Sequence, residues 1–129
     1  MPSEAEDAAQ ESTMSQITQE KNVTVVQLDE KYDALDEAVI HQFRDELLEQ
    51  ADTADPPYLL VDMSRTKFVG SSFVEIFFRA YKRITERGGR TAICNVDRFC
   101  AEVLRATSVD TLIDSYPTRE SALEALASQ

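Results

Sequence analysis

Two adjacent serines, Ser71 and Ser72, stand where a strand-like run gives way to a helical one, within YLLVDMSRTKFVGSSFVEIFFRAYKRITERGGRTAICN from Tyr58 to Asn95. A hydroxyl at such a junction has three chemical uses. It can accept a hydrogen bond from a free N–H of the first helical turn and so cap the helix. It can carry a phosphate, whose charge a helix N-terminus favours. It can also act as a nucleophile, provided that a base activates it. The nucleophile is set aside, because GSSF is not the G-x-S-x-G elbow of the hydrolases and the one histidine, His41, sits in an acidic helical segment as a surface or boundary residue. Asp62, at the end of the apolar run, lacks the acidic pair and the lysine that a phospho-accepting aspartate requires; it is expected to bond the backbone of the Ser64-Arg65-Thr66 loop. Spacing alone leaves cap and phosphosite both open.

The elements around the pair follow from composition and periodicity. With 129 residues and 43% hydrophobic content, the chain supports one domain with one sizeable core and is too short for two. Its formal charge of −11 argues against a nucleic-acid partner, which would call for clustered Lys and Arg. The acids are concentrated early. Residues 1–20 hold five acids and no Lys or Arg, residues 21–57 hold ten acids against three bases, and the remainder holds nine acids against ten bases. Such a half can steer a basic partner, and it also keeps a protein soluble. Cys94 and Cys100 are too few for a disulfide framework and form no C-x-x-C, so they read as buried free thiols in a reducing compartment. MPSEAEDAAQ has neither the basic nor the apolar region of a signal peptide, and no apolar run approaches the ~20 residues of a membrane span. A cytoplasmic protein without membrane insertion is expected, and nothing implies a cofactor or a metal.

Residues 1–14 are acidic and nearly free of large apolar side chains, which predicts a flexible tail ahead of a domain over 15–129. SQITQ and VTVVQL read as two strands of a hairpin turning at Asn22. DALDEAVIHQFRDELLEQA is periodic for a helix, with Asp33 as its cap and Pro56-Pro57 barring its continuation. YLLVDM has the apolar character of a strand covered on both faces, which implies parallel neighbours. A central helix runs from Ser71 or Ser72 to Arg87 and stops at Gly88-Gly89. Phe73, Val74, Phe77 and Phe78 are too many for one buried stripe, so Val74 or Phe78 is left as a candidate apolar docking spot. Arg79, Lys82, Arg83, Arg87 and Arg90 read as a solvated basic face. RTAICNV is a further strand, Asp97 caps a helix burying Phe99, Val103 and either Leu104 or Cys100, and Leu112 to Tyr116 form a last short strand. Thr118 caps a terminal helix through Ala127. The order ββαβαβαβα predicts an α/β domain with a mixed, mostly parallel sheet of about five strands and about four helices.

These residues resemble the STAS domain, the fold of bacterial anti-sigma-factor antagonists. The resemblance rests on LLVDMSRTKFVGSSFVEIFFRAYKRITERGGRTAICNV, on DRFCAEVLRATSVDTLID and on YPTRESALEAL, and it covers roughly residues 15–127. It implies a regulatory protein-binding module whose partner is an anti-sigma factor that is also a serine protein kinase, or a related regulator. The serine that such a kinase modifies in the phosphorylated members corresponds to Ser72, with Ser71 the lesser candidate. The partner-binding surface implied is Gly70, Ser71, Ser72, Phe73 and Val74, supported by the loop at Tyr32 and Asp33. Where the family pattern has Asp before the serines and Gly after them, this chain has Gly70 and Phe73, with Glu75 at another position that is often Gly. Phe73 and Glu75 are therefore expected to remodel the docking surface. The alternative function is a STAS subunit that is not phosphorylated and docks on a transporter ATPase or within a multi-protein signalling complex. Whether the chain also forms a weak homodimer is left open.

Overall fold

The computed structural model describes residues 15–28, 37–67 and 69–127. The expected acidic tail over 1–14, the Asp33 cap and the Tyr32–Asp33 loop lie outside these residues. Strands β1 (Ser15–Glu20) and β2 (Val23–Leu28) are antiparallel, joined by Lys21 and Asn22. Both linkers have positive φ, 51° and 67°. A two-residue hairpin of that handedness matches the twist of its strands, and Asn is among the residues that tolerate it.

From β2 the chain enters α1 (Glu37–Thr53), then β3 (Tyr58–Asp62), α2 (Ser71–Glu86), β4 (Arg90–Cys94), α3 (Arg98–Ala106), a 3-10 turn at Val109–Thr111, β5 (Asp114–Tyr116) and α4 (Arg119–Ala127). The sheet order is β1-β2-β3-β4-β5, and every pairing after the hairpin is parallel. This is the mixed sheet that the element order predicts. The last strand begins at Asp114 rather than Leu112, because the 3-10 turn and the exposed Leu112 occupy the approach to it.

Alternation along the strands divides the core in two. Val26, Leu28, Leu59, Val61 and Ile93 face α1, α2 and α3, meeting Phe43, Leu47, Phe73, Phe77, Ile84 and Leu104. Val23, Val25, Leu60, Ala92 and Cys94 face the opposite way, against Ala122, Leu123 and Leu126 of α4. Among the described residues, three helices thus cover one face and a single nine-residue helix covers the other.

The ends of the helices explain several residues. Gly88 (φ +80°) closes α2 in the left-handed conformation, with Gly88 N–H donating to Thr85 O at 2.9 Å and Gly89 N–H to Ile84 O at 2.9 Å. Gly89 is needed for a different reason: a Cβ there would fall on the carbonyl oxygen of Pro57, beside which the chain turns into β4. Asp97 caps α3, accepting from Cys100 N–H at 2.8 Å, and Thr118 Oγ1 accepts from Ser121 N–H at 3.0 Å at the start of α4. In α3 the buried face is taken by Cys100 and Leu104, with Val103 partly buried. Phe99 lies beside that face and is 47% exposed, so its expected burial is corrected.

Candidate functional site

β3 brings the chain to the carboxyl end of the parallel strands, where the Asp62 side chain points toward the α4 side, 2% exposed. A buried carboxylate must be satisfied or it titrates away. Here Asp62 Oδ1 accepts from Ser64 N–H at 2.9 Å and from Asn95 Nδ2 at 3.1 Å, while Oδ2 accepts from Arg119 Nε at 2.9 Å. Arg119 Nη1 continues to Glu20 at 2.8 Å, so one guanidinium ties α4 to both β3 and β1. The loop bond to Ser64 is the one expected from sequence. The partners Asn95 and Arg119 lie 33 and 57 positions away, beyond any local pattern.

Burial pushes the Asp62 pKa up, but the bonds from Asn95, Ser64 and Arg119 together outweigh it and hold the carboxyl below the ordinary aspartate value. A group depressed on folding adds stability above its unfolded value and loses it as pH falls through the folded one. Removing Arg119 raises the folded value, so that loss begins at a higher pH. Arg119→Gln is expected to cost about 2 kcal/mol near neutrality and to move the acid-unfolding midpoint upward in a titration followed by circular dichroism. Superimposable curves would show that the bond contributes nothing. The exposed half of the network, at Glu20, contributes little to this figure because solvent screens it.

Cys94 lies on the same side of the sheet. Burial, and secondarily the Asp62 charge, push its thiol up to about 12, with Arg119 partly offsetting the rise. The thiolate is the reactive form. Cys94 is therefore expected to resist alkylation by iodoacetamide at pH 8 in the folded protein and to react on denaturation, checked by mass spectrometry of the modified peptide; ready labelling under native conditions would contradict the burial.

Beyond Asp62 the loop is pinned inward. Met63 N–H donates to Cys94 O at 3.0 Å, Thr66 N–H to Met63 O at 3.0 Å, and Gln27 Nε2 to Ser64 Oγ at 3.1 Å, while Thr66 and Val69 are buried. The loop delivers Gly70 in an extended conformation (φ −120°, ψ −174°), and Gly70 is the N-cap of α2. No side chain caps this helix. The capping role read for Ser71 or Ser72 is thereby corrected: they lie inside the helix, one and two residues past the cap, and both are exposed.

Phe73 is also placed differently from expectation. It is 1% exposed, with its ring stacked on Phe43 of α1 (centroids 4.5 Å, planes 11° apart) and edge-on to Phe77 (4.7 Å, 70°). Phe73 therefore anchors the first turn from beneath instead of remodelling the surface. Val74 is 8% exposed and offers only a margin, so of the two candidate docking spots the open one is Phe78, at 41%. Glu75, by contrast, is exposed, one turn on from Ser71. Ser71, Glu75, Phe78 and Lys82 recur at helical spacing along one outward stripe. Lys82 Nζ lies 5.9 Å from the centroid of the Phe78 ring, and Phe78 stacks on Tyr81 at 6.4 Å.

Three of the basic residues at the end of α2 and the start of β4 are tied to neighbours as well as facing solvent. Arg83 pairs with Asp52 at 2.8 Å, Arg90 with Asp114 at 2.6 Å, and Arg87 donates to the carbonyls of Ala51 and Ala54 at 2.9 and 2.6 Å, closing the end of α1. Arg79 and Lys82 remain on the exposed side with Phe78. His41 is exposed on α1. Among the described residues there is no cluster of His, Cys, Asp and Glu suited to a metal, and no helix long and apolar enough to cross a membrane.

A five-stranded mixed sheet opened by a hairpin, with a loop at the strand ends leading into a helix headed by exposed serines, defines an α/β domain of the STAS type. The chain belongs to the STAS domain family, whose model matches residues 14–122. It is similar to an anti-sigma-factor antagonist (STAS) domain protein from Planctomyces limnophilus, with 35% identity over 88% of this chain and 97% of the other and a TM-score of 0.80. A putative anti-sigma factor antagonist from Thermotoga maritima shares the fold at 18% identity (88% and 94% covered, TM-score 0.77). So does the anti-sigma factor antagonist SpoIIAA in its unphosphorylated form, at 17% identity (89% and 97% covered, TM-score 0.70). SpoIIAA of Bacillus has also been solved phosphorylated (17% identity, 86% and 97% covered, TM-score 0.61). No curated protein sequence matched.

Proposed function

We propose that this chain is an anti-sigma-factor antagonist that binds an anti-sigma factor with serine kinase activity and is released from it by phosphorylation of Ser72. The observation that carries this reading is the exposed Ser72 hydroxyl on a helix whose N-terminus no side chain caps. A serine spent on capping would be withheld from a kinase; this one is available to it. The binding surface in this reading is Gly70, Ser71, Ser72 and the margin of Val74, set rigidly by Phe73 below and supported by Tyr32 and Asp33. The outward stripe through Glu75, Phe78 and Lys82 extends it with an exposed aromatic ring, a kind of side chain enriched at interfaces. Its similarity to SpoIIAA, a protein solved with and without phosphate, supports the same reading.

The test is incubation with ATP and the cognate kinase. The expected result is a gain of one phosphoryl group that disappears in Ser72→Ala, together with capture of the partner from cell extract only after phosphatase treatment. An unchanged mass would overturn the switch. The exposed Phe78 favours what would then remain: constitutive docking of a STAS subunit, on a transporter ATPase or in a signalling complex. Ser72→Ala and Ser72→Asp would then bind alike, and a charge at Phe78 would abolish binding.

A further inference from the structure

Strand β1 forms one edge of the sheet. It pairs with β2 from Ser15 to Glu20, and among the described residues no strand pairs with its other side. An open edge presents a row of backbone donors and acceptors that can template a further strand, and proteins usually blunt it with Lys, Pro or a bulge. The strand SQITQE has no Lys and no Pro, and its register with β2 runs without a bulge through all six pairs.

Its apolar side chain is uncovered as well. Ile17 is 42% exposed, and as the cross-strand partner of the core residue Val26 it faces the α1 side of the sheet. There it forms the floor of a groove of about 280 Å³ walled by Asp45, Glu46, Glu49 and Gln50 of α1. Within this wall Arg44 bonds Asp45 at 3.1 Å and Gln42 donates to Glu46 at 3.3 Å. Three of the residues lining the groove, Asp45, Glu46 and Glu49, are carboxylates.

An open edge, an apolar floor and an anionic wall together select one kind of occupant. We infer that β1 accepts an extended segment of a basic partner protein as an added strand. One apolar side chain of that segment covers Ile17, and Lys or Arg two residues to either side reaches the carboxylates of α1, because residues i and i+2 share a face. Two other occupants are opposed by charge. A second copy would bring its own anionic wall and a net −11 to the contact, and the acidic segment 1–14, with Glu4, Glu6, Asp7 and Glu11, would meet Asp45 and Glu49 with like charge. The inference is independent of the Ser72 reading, since none of these residues belongs to the loop or to α2.

The probe is a fluorescein-labelled peptide Thr-Lys-Thr-Val-Thr-Lys-Thr, titrated into the full chain by anisotropy and mapped on the backbone amides by NMR. Saturable binding is expected, with shifts confined to β1 and the adjoining turn of α1. Asp45→Lys with Glu49→Lys, two exposed positions whose replacement leaves the fold intact, weakens it about tenfold or more, or about 1.4 kcal/mol. Of two peptides N-methylated at alternate residues, one loses binding and the other keeps it, because only alternate N–H groups face β1. Equal behaviour of those two peptides overturns strand addition, and unchanged affinity of the charge-reversed variant overturns the basic occupant. Shifts centred elsewhere overturn the site. A dimer in sedimentation velocity that Ile17→Lys disperses assigns the edge to a second copy and overturns the inference too.

Discussion

Phosphorylation of Ser72 is expected to lower affinity for the proposed anti-sigma partner by roughly two to three and a half orders of magnitude while leaving the stability of the domain almost unchanged. The two halves have separate causes. Within the domain, the phosphate adds roughly −1.5 to −2 charges at the N-terminus of α2, where free N–H groups and the macrodipole favour an anion. Ser72 is exposed and caps nothing, so no native bond is broken by modifying it. In the complex, the same dianion would be desolvated against a partner surface without a new cation, at a cost on the order of 3 to 5 kcal/mol. At about 1.4 kcal/mol per decade this gives the stated loss. Calorimetric titration of the partner with unmodified, phosphorylated and Ser72→Ala protein checks it, alongside thermal melts of the same three samples. Equal affinities would refute the switch, and a large drop in melting temperature would refute the claim that the fold tolerates the charge.

Phe73→Ala should destabilise the domain by about 3 to 5 kcal/mol, the usual cost of truncating a large buried aromatic. Phe73 joins α2 to α1 through the stack on Phe43, and it also meets Phe77 edge-on. Aromatic pairs of this kind contribute about 0.5 to 1.5 kcal/mol beyond area burial. Urea unfolding is the measurement: the midpoint falls with little change in slope. A loss under about 1 kcal/mol would mean that the ring is not in the core. Phe73→Leu separates packing from recognition, because it keeps most of the apolar volume and should leave partner binding intact if the ring acts only from beneath.

Much of this architecture was legible because it is written locally. The hairpin turn, the Asp97 and Thr118 caps and the left-handed stop at Gly88 each depend on residues within four positions of one another. The head of α2 was less so. Capping is decided by a single residue of phase, and the chain enters the helix at Ser71 with Gly70 as the flanking residue, a position that Gly also favours. Phe73 and Phe78 carry equal hydrophobicity, and which one is buried was settled by Phe43, a residue of another helix whose approach no α2 pattern encodes. Arg87 looked like surface charge because the carbonyls it bonds, of Ala51 and Ala54, belong to the far end of α1. The Asp62 carboxylate was seen, but its chief cation came from the start of the last helix. For Phe73, Arg87 and Asp62 the missing information was a long-range contact.

The unequal covering of the two sheet faces has a dynamic consequence. Local opening draws on the weakly buried cooperative units of a protein, and α4, which covers its face of the sheet with three buried side chains and one guanidinium tether, is such a unit. Its departure would leave the three-helix layer standing while uncovering Cys94, which packs beneath it. The slow native-state reactivity of that thiol would then serve as a clock, counting how often the C-terminal helix lifts from a sheet that otherwise remains closed.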